Sequence, residues 1–236
     1  FFEGFALAYG VADMSTLKID PESGKQKPDY RWNDQPLTTQ VYLNHLAGTQ
    51  SIGVQPCNEE SEARFGVIDV DPKNYEDFDK KFFIDIIQNY KLPLIPVLSK
   101  SGGLHLYLFM KEFVPAVLIR SFLSNLLSLF KLKPDCEIFP KQTQLTKDNE
   151  TGQLNKGNFI NLPYFKKSER LAINLDGKPF TFDQFISVVE SNTVHAEDLK
   201  NLTQSIEEKD LEGVDPEFED GPPCLAHLSK IMRNPG

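Results

Sequence analysis

Two aspartates one residue apart close the run FGVIDVD at residues 65–71. They are the first groups along the chain whose type and spacing could do chemistry. Side chains alternate across a strand, so Phe65, Val67, Asp69 and Asp71 share one face, and Gly66, Ile68 and Val70 the other. Neighbouring carboxylates with parallel side chains form a hard-oxygen site for Mg²⁺ or Mn²⁺. A second set lies in SKSGGLHLYLF at 99–109, where Gly102 and Gly103 make a tight turn. His105 leaves that turn on the strand face of Tyr107. A third set, EIFPKQ at 137–142, carries Glu137 as a lone acid on a short apolar strand, with Lys141 and Gln142 just beyond it. Metal site, phosphate turn and third carboxylate, in that order, point to nucleotidyl transfer.

Each group also has a plainer reading. An Asp-x-Asp pair at a strand end is often a solvated turn. Here the apolar GVI precedes it, so the carboxylates emerge from a buried strand, where unpaired charge is costly. Taken alone, His105 reads as a hydrogen-bonded core histidine and the two glycines as a hairpin turn. Glu137 alone reads as an ion-pair partner, and Lys141 with Gln142 as a surface loop. His45, His195 and His227 have no partner pattern and read as structural. The Leu and Phe stripe of 117–130 is core.

The elements that must hold these groups alternate between strand and helix. Residues 75–90 read as a helix with Phe78, Phe82, Ile86 and Tyr90 as its apolar stripe. Pro93 and Pro96 bracket a short strand at 94–98, and 105–110 returns from the glycine turn as its hairpin partner. Pro115 opens a second helix to about Phe130, and strands follow at 137–139 and 158–162. The order strand–helix–strand–strand–helix–strand over 64–139 is the ferredoxin-like, or RRM-like, arrangement. Before it, 5–54 is a mixed segment with the single tryptophan, Trp32, and a helix at 38–46. After it, 182–190 reads as helix, followed by an acidic stretch. The expected class is α+β: an RRM-like core with an N-terminal α/β module and a short helical C-terminal segment. The boundaries are a catalytic domain over 1–190 (module about 1–60, core about 61–165), an acidic helix or linker over 191–221, and a helical start over 222–236.

Composition bounds the function. The chain has 236 residues, 40% of them hydrophobic and 18 of them Phe, ample for a packed core. No apolar stretch approaches the roughly 20 residues needed to cross a membrane. The opening FFEGFALAYG is too short, and lacks the basic start, for a secretory signal. It also lacks an initiator Met, as a segment of a longer protein would. Cys57, Cys136 and Cys224 lie far apart with no CxxC pair, which argues for a reducing cytoplasm and against a disulfide scaffold or zinc site. The net charge of −9 disfavours tight non-specific DNA binding, which relies on Lys and Arg at the phosphates. Much of the acid sits in SIEEKDLEGVDPEFED at 205–220, which reads as a solvated linker or an exposed helix and tail. Basic clusters remain at Lys25, Lys27 and Arg31 and at Lys166, Lys167 and Arg170.

Taken together, hhDhD, then S-x-G-G-x-H-x-Y, then a strand-borne Glu resemble the three motifs of the archaeo-eukaryotic primase superfamily. The nearest wording is that of primase–polymerases of phages, plasmids and TOTE conflict systems, with HLAGTQSIGVQP, EIFPKQ and GNFINLPYF as further shared runs. The resemblance covers about Trp32 to Phe165. It implies that Asp69, Asp71 and Glu137 hold two Mg²⁺ or Mn²⁺ ions, as the catalytic centre of a DNA primase–polymerase. Ser99, Lys100, Ser101 and the N–H groups of Gly102 and Gly103 would cradle the triphosphate, and His105 would bind its β- or γ-phosphate. Lys141, Gln142 and Asn161 would reach phosphate or ribose, and Asn161 with Tyr164 the sugar or template; a buried Asn-Leu-Pro-Tyr turn explains those last two equally well. The implied partners are a single-stranded DNA template, a primer and dNTP or NTP substrates. A helicase or a downstream helical domain, similar to what GPPCLAHL at 221–228 leads into, would join them, in a bacterial or phage-infected cytoplasm.

Two other classes compete with this reading. A nucleotide-sugar transferase also uses Asp-x-Asp with a metal, but leaves SGGLHLY and Glu137 unexplained. A non-catalytic RRM-like module binds nucleic acid through paired aromatics on its sheet, whereas this sheet face carries acids.

Overall fold

The run EARFGVIDV folds as a strand, β4 (Glu62–Val70), and its two faces meet different partners. Phe65 and Val67 enter an aromatic core with Tyr107 and Phe109. The opposite face lies under a helix, α3 (Ala116–Leu129). Gly66 permits the close approach: a Cβ there would stand 2.3 Å from Ile119 Cγ2 and 2.8 Å from Leu123 Cδ1. The computed structural model describes residues 1–19, 26–149, 151–166 and 168–212.

Around β4 stand β5 (Leu94–Leu98), β6 (Leu104–Pro115) and β7 (Glu137–Phe139), in the order β5-β6-β4-β7, with every pair antiparallel. The helix α2 (Lys80–Asn89) connects β4 to β5, and α3 connects β6 to β7. This is the ferredoxin-like topology expected from the element order. Pro96 lies inside β5, which its edge position allows, because an edge strand needs fewer ladder donors.

A second sheet, ordered β2-β1-β3-β8, is built from β1 (Tyr9–Ile19), β2 (Gln26–Asn33), β3 (Ile52–Val54) and β8 (Ile160–Asn161). Tyr9, Val11, Ile52, Val54 and Ile160 join Phe65, Val67, Tyr107 and Phe109 in one continuous core. The N-terminal segment thus packs on the face of the first sheet opposite α3. A helix, α1 (Thr39–Ala47), precedes β3, and α4 (Phe182–Asn192) adds Phe185 and Val189 to the core. Residues 1–199 form one compact unit and residues 200–236 a second. The last described helix, α5 (Ala196–Glu212), spans that division.

Several boundaries differ from expectation. The helix expected at 75–90 begins at Lys80, because Asp71 and Pro72 start a short 3-10 turn and Asp79 caps α2 by accepting from the Lys81 N–H at 2.9 Å. Its buried stripe is Phe83, Ile84, Ile86 and Ile87, with Phe78 and Phe82 only half-buried. The strand expected at 105–110 runs on to Pro115, pairing back to Glu62. That expected at 158–162 is two residues long and joins β3 in the second sheet. Of the acidic stretch, 205–212 is helical; the rest, with GPPCLAHL, Cys224 and His227, lies outside the described residues, as do Lys25 and Lys167 of the basic clusters. Among the described residues no helix is long and apolar enough to cross a membrane.

Candidate active site

The register of β4 brings the three motifs onto one row. Asp69 faces His105 on β6 on one side and Glu137 on β7 on the other. His105 is 9% exposed at its side chain, and its Nε2 lies 3.3 Å from Asp69 Oδ1. Asp71, just past the strand end, caps the 3-10 turn by accepting from the Lys73 N–H, and its other oxygen meets Lys73 Nζ at 2.9 Å. Glu137 is paired with Lys141 at 2.8 Å. That ammonium also lies 5.3 Å from the Phe139 ring centroid. Burial pushes the nearby Cys136 thiol up to about 11, so it stays a protonated donor to the Asp69 carbonyl at 3.4 Å.

Asp69, Asp71, Glu137, His105, Ser99, Lys100, Ser101 and Asn161 all line one cleft of about 750 Å³ between the two sheets. Its opposite wall carries Tyr30 and Trp32 from β2, and Phe159 beside β8. Trp32 meets Phe159 edge-on at 5.1 Å, while Tyr30 stays 44% exposed. Arg170 closes one end. The sequence reading missed these four. The alternation of Tyr30 and Trp32 along β2 was the available signal; Arg170 stood out only as part of a basic cluster.

The glycine turn differs in detail from expectation. Ser99 Oγ accepts from the Gly103 N–H at 3.0 Å, and the Ser99 carbonyl accepts from the Gly102 N–H at 3.1 Å. Both glycine N–H groups are therefore spent inside the loop. Gly102 takes φ +86°, and a Cβ on Gly103 would stand 2.1 Å from the Val70 carbonyl oxygen, so the sequence folds tightly there and turns Lys100 and Ser101 outward. Among the described residues, neither the Lys100 nor the Ser101 N–H has a protein acceptor.

Two other expected residues serve elsewhere. Gln142 Oε1 accepts from Gln55 Nε2 and from the Asn158 N–H, and its Nε2 donates to Asn158 Oδ1; it fastens the loop before β8 and does not line the cleft. The Tyr164 hydroxyl donates to the Phe180 carbonyl at 3.2 Å, and its ring stacks on Phe185 at 4.9 Å. Lys141 reaches the cleft only through Glu137. His45 is structural: its Nδ1 accepts from the Ile52 N–H and its Nε2 donates to the Pro163 carbonyl. His195, read as unpartnered, meets Glu112 at 2.8 Å.

The donor chemistry suits a hard divalent cation. Asp69, Asp71 and Glu137 offer only carboxylate oxygens, with side-chain exposures of 26%, 28% and 55%, open enough to exchange a lysine for an ion. Among the described residues no three His, Cys, Asp or Glu side chains already stand together as a ligand set, because Asp71 and Glu137 are turned to their lysines.

The profile of the family described as the archaeo-eukaryotic primase domain of TOTE conflict systems matches residues 16–209. No curated protein matches the chain. Among solved structures it is similar to the archaeo-eukaryotic primase domain of the primase–polymerase of cyanophage S-2L, at 11% identity and TM-score 0.38, over 78% of this chain and 89% of that one.

Proposed function

This chain belongs to the archaeo-eukaryotic primase family of TOTE conflict systems, and on that premise we propose that it is a template-directed DNA primase–polymerase. Its general chemistry is nucleotidyl transfer. The observation that carries the finer reading is the single row of His105, Asp69 and Glu137 across β6, β4 and β7. Asp69, Asp71 and Glu137 would hold two ions, Mg²⁺ or Mn²⁺, which when bound lower the pKa of the attacking 3′-hydroxyl and neutralise the leaving pyrophosphate. Lys141, 2.8 Å from Glu137, neutralises that acid in the metal-free chain and becomes available to phosphate once the carboxylate has another cation.

The loop 99–103 supplies the triphosphate grip through Lys100, the Ser99 and Ser101 hydroxyls and the outward N–H groups. His105, 3.3 Å from Asp69, would bind the β- or γ-phosphate. On the facing wall, Tyr30 and Trp32 offer a ring surface on which a base can stack. Asn161 holds its Oδ1 buried and unpartnered among the described residues, an acceptor suited to a sugar hydroxyl. The partners are a single-stranded template, a primer and dNTP or NTP, with a helicase or a downstream helical domain beside them.

Incubation with labelled dNTPs, NTPs and UDP-sugars plus Mn²⁺, with and without a single-stranded template, tests the reading. Template-dependent nucleotide incorporation is expected. Sugar transfer, or oligonucleotide binding with no incorporation, would overturn it in favour of the transferase or the non-catalytic module.

A further inference from the structure

Beside the cleft lies a second lobe of about 430 Å³, which shares Pro28, Tyr30, Lys100 and Arg170 with it and adds Ser51 and Ser168. The polar groups of this lobe have no adequate partners of their own. Arg170 Nε and Ser168 Oγ are buried without a hydrogen bond among the described residues. The best contact Arg170 makes is a long one, 3.5 Å from Nη2 to Ser51 Oγ. Burial lowers the Arg170 pKa from its ordinary value. Around the cleft Lys73, Lys141 and Lys156 each face a carboxylate. Arg170 and Lys100, by contrast, form no ion pair among the described residues. Glu169 also lines the lobe and is exposed.

A guanidinium partly withdrawn from water without a counter-ion destabilises the fold that holds it. An unsatisfied buried donor adds a further penalty. Both costs vanish if an anion occupies the lobe, and a planar fork beside an ammonium and a hydroxyl matches the oxygens of a phosphate. The acidity of the chain bears on which phosphate that is. With a net charge of −9, the surface as a whole repels a nucleic-acid strand, so a strand must be held by a few local cations.

We propose that Arg170, with Lys100 and Ser168, forms an anion site that holds one backbone phosphate of the nucleic-acid strand. This site adjoins the triphosphate grip of the 99–103 loop and shares Lys100 with it. The assignment of the anion to a strand rests on the nucleotidyl-transfer reading; the anion site itself rests on the lobe.

The test measures binding of labelled single-stranded oligonucleotide and of primed duplex over a salt series, without metal or nucleotide. Losing one phosphate contact lowers the slope of log affinity against log salt by about 0.7 for a single strand and about 0.9 for a duplex. Arg170→Gln should show that drop and bind about tenfold more weakly at low salt. Arg170→Lys, which keeps the charge but not the fork, should retain the slope. Ser168→Val should weaken binding at unchanged slope. A drop seen with single strands assigns the phosphate to the template, and one confined to primed duplex assigns it to the primer; either supports the site. The melting temperature of Arg170→Gln should stay level or rise, since the variant removes an uncompensated charge, whereas a structural arginine would lower it. An unchanged salt slope overturns the proposal. So does a loss confined to labelled dNTP, which would give the anion to the incoming nucleotide. Arg170-dependent strand binding with no incorporation would sink the polymerase reading and leave the anion site standing.

Discussion

Replacing Asp69 by asparagine separates chemistry from folding. Among the described residues its carboxylate pairs with His105 alone, at 3.3 Å, and is 26% exposed. An ion pair that open to water contributes about 0.2–1 kcal/mol, and asparagine keeps the shape. The expected loss in melting temperature is therefore at most about 2–4 °C for a chain of this size. The chemical cost is far larger. A metal clamp supplies several kcal/mol of transition-state stabilisation, and about 1.4 kcal/mol is a factor of ten in rate. Losing about 4 kcal/mol slows extension about 10³-fold. Primer extension with Mn²⁺ and saturating dNTP measures the rate, and thermal unfolding measures the fold. Mn²⁺ at about 100 times its Kd should stabilise the unaltered chain by about 2.7 kcal/mol, or about 5–11 °C. That shift should collapse in Asp69→Asn. Extension within tenfold of wild type, or an undiminished Mn²⁺ shift, would remove Asp69 from the metal site.

Removing His105 or Lys141 by alanine should weaken nucleotide binding more than template binding, because His105 follows directly on the phosphate loop and Lys141 is paired with the metal-binding acid Glu137. Separate titrations of labelled dNTP and oligonucleotide check this, and unchanged dNTP affinity in both variants would assign the residues to structure. Gly103→Ala places a Cβ 2.1 Å from the Val70 carbonyl oxygen. It should cost about 1–3 kcal/mol and displace the loop, so that melting temperature and dNTP affinity fall together; wild-type melting would show that the turn has room. Burial lowers the His45 pKa below its ordinary value, and its Nδ1 must stay unprotonated to accept from Ile52 at 3.1 Å. The unfolded chain therefore takes up that proton first. The contribution is complete above about pH 6.5 and is lost as pH falls from there towards the lowered folded value. Melting of the unaltered chain should drop more steeply than that of His45→Gln as pH falls below about 6.5, and parallel profiles would contradict the buried neutral ring.

Local signals reached as far as local forces do. The strands at 94–98 and 137–139 were legible to the residue, because short apolar runs there are bounded by prolines and polar turns. The helix of 75–90 was overrun because Phe78 continued the periodicity. The caps by Asp71 and Asp79, which stop it, are single hydrogen bonds that a hydrophobic pattern does not register. Gln142 was misplaced for the opposite reason: its partner Gln55 is 87 residues away. Tyr30, Phe159 and Arg170 meet the acids only because two sheets face each other across a cleft, an arrangement no spacing along the chain encodes.

What the spacing did encode is the row itself, and topology explains why three motifs so far apart could be read as one site. In the order β5-β6-β4-β7 the first strand of the core stands between the third and the fourth, all antiparallel. The end of β4 therefore lies beside the starts of β6 and β7, so residues leaving β4 and entering the other two share one edge. The acid pair must end its strand, and the histidine and the third acid must begin theirs, as DVD, GGLH and CEIF do. A slip of one residue in β4 would turn Asp69 under α3 and bury its charge without a partner. Gly66 guards against that slip, since no other residue of β4 could lie within 2.3 Å, counted from an added Cβ, of Ile119. Packing on the helix face thus fixes the register that the chemistry on the cleft face requires.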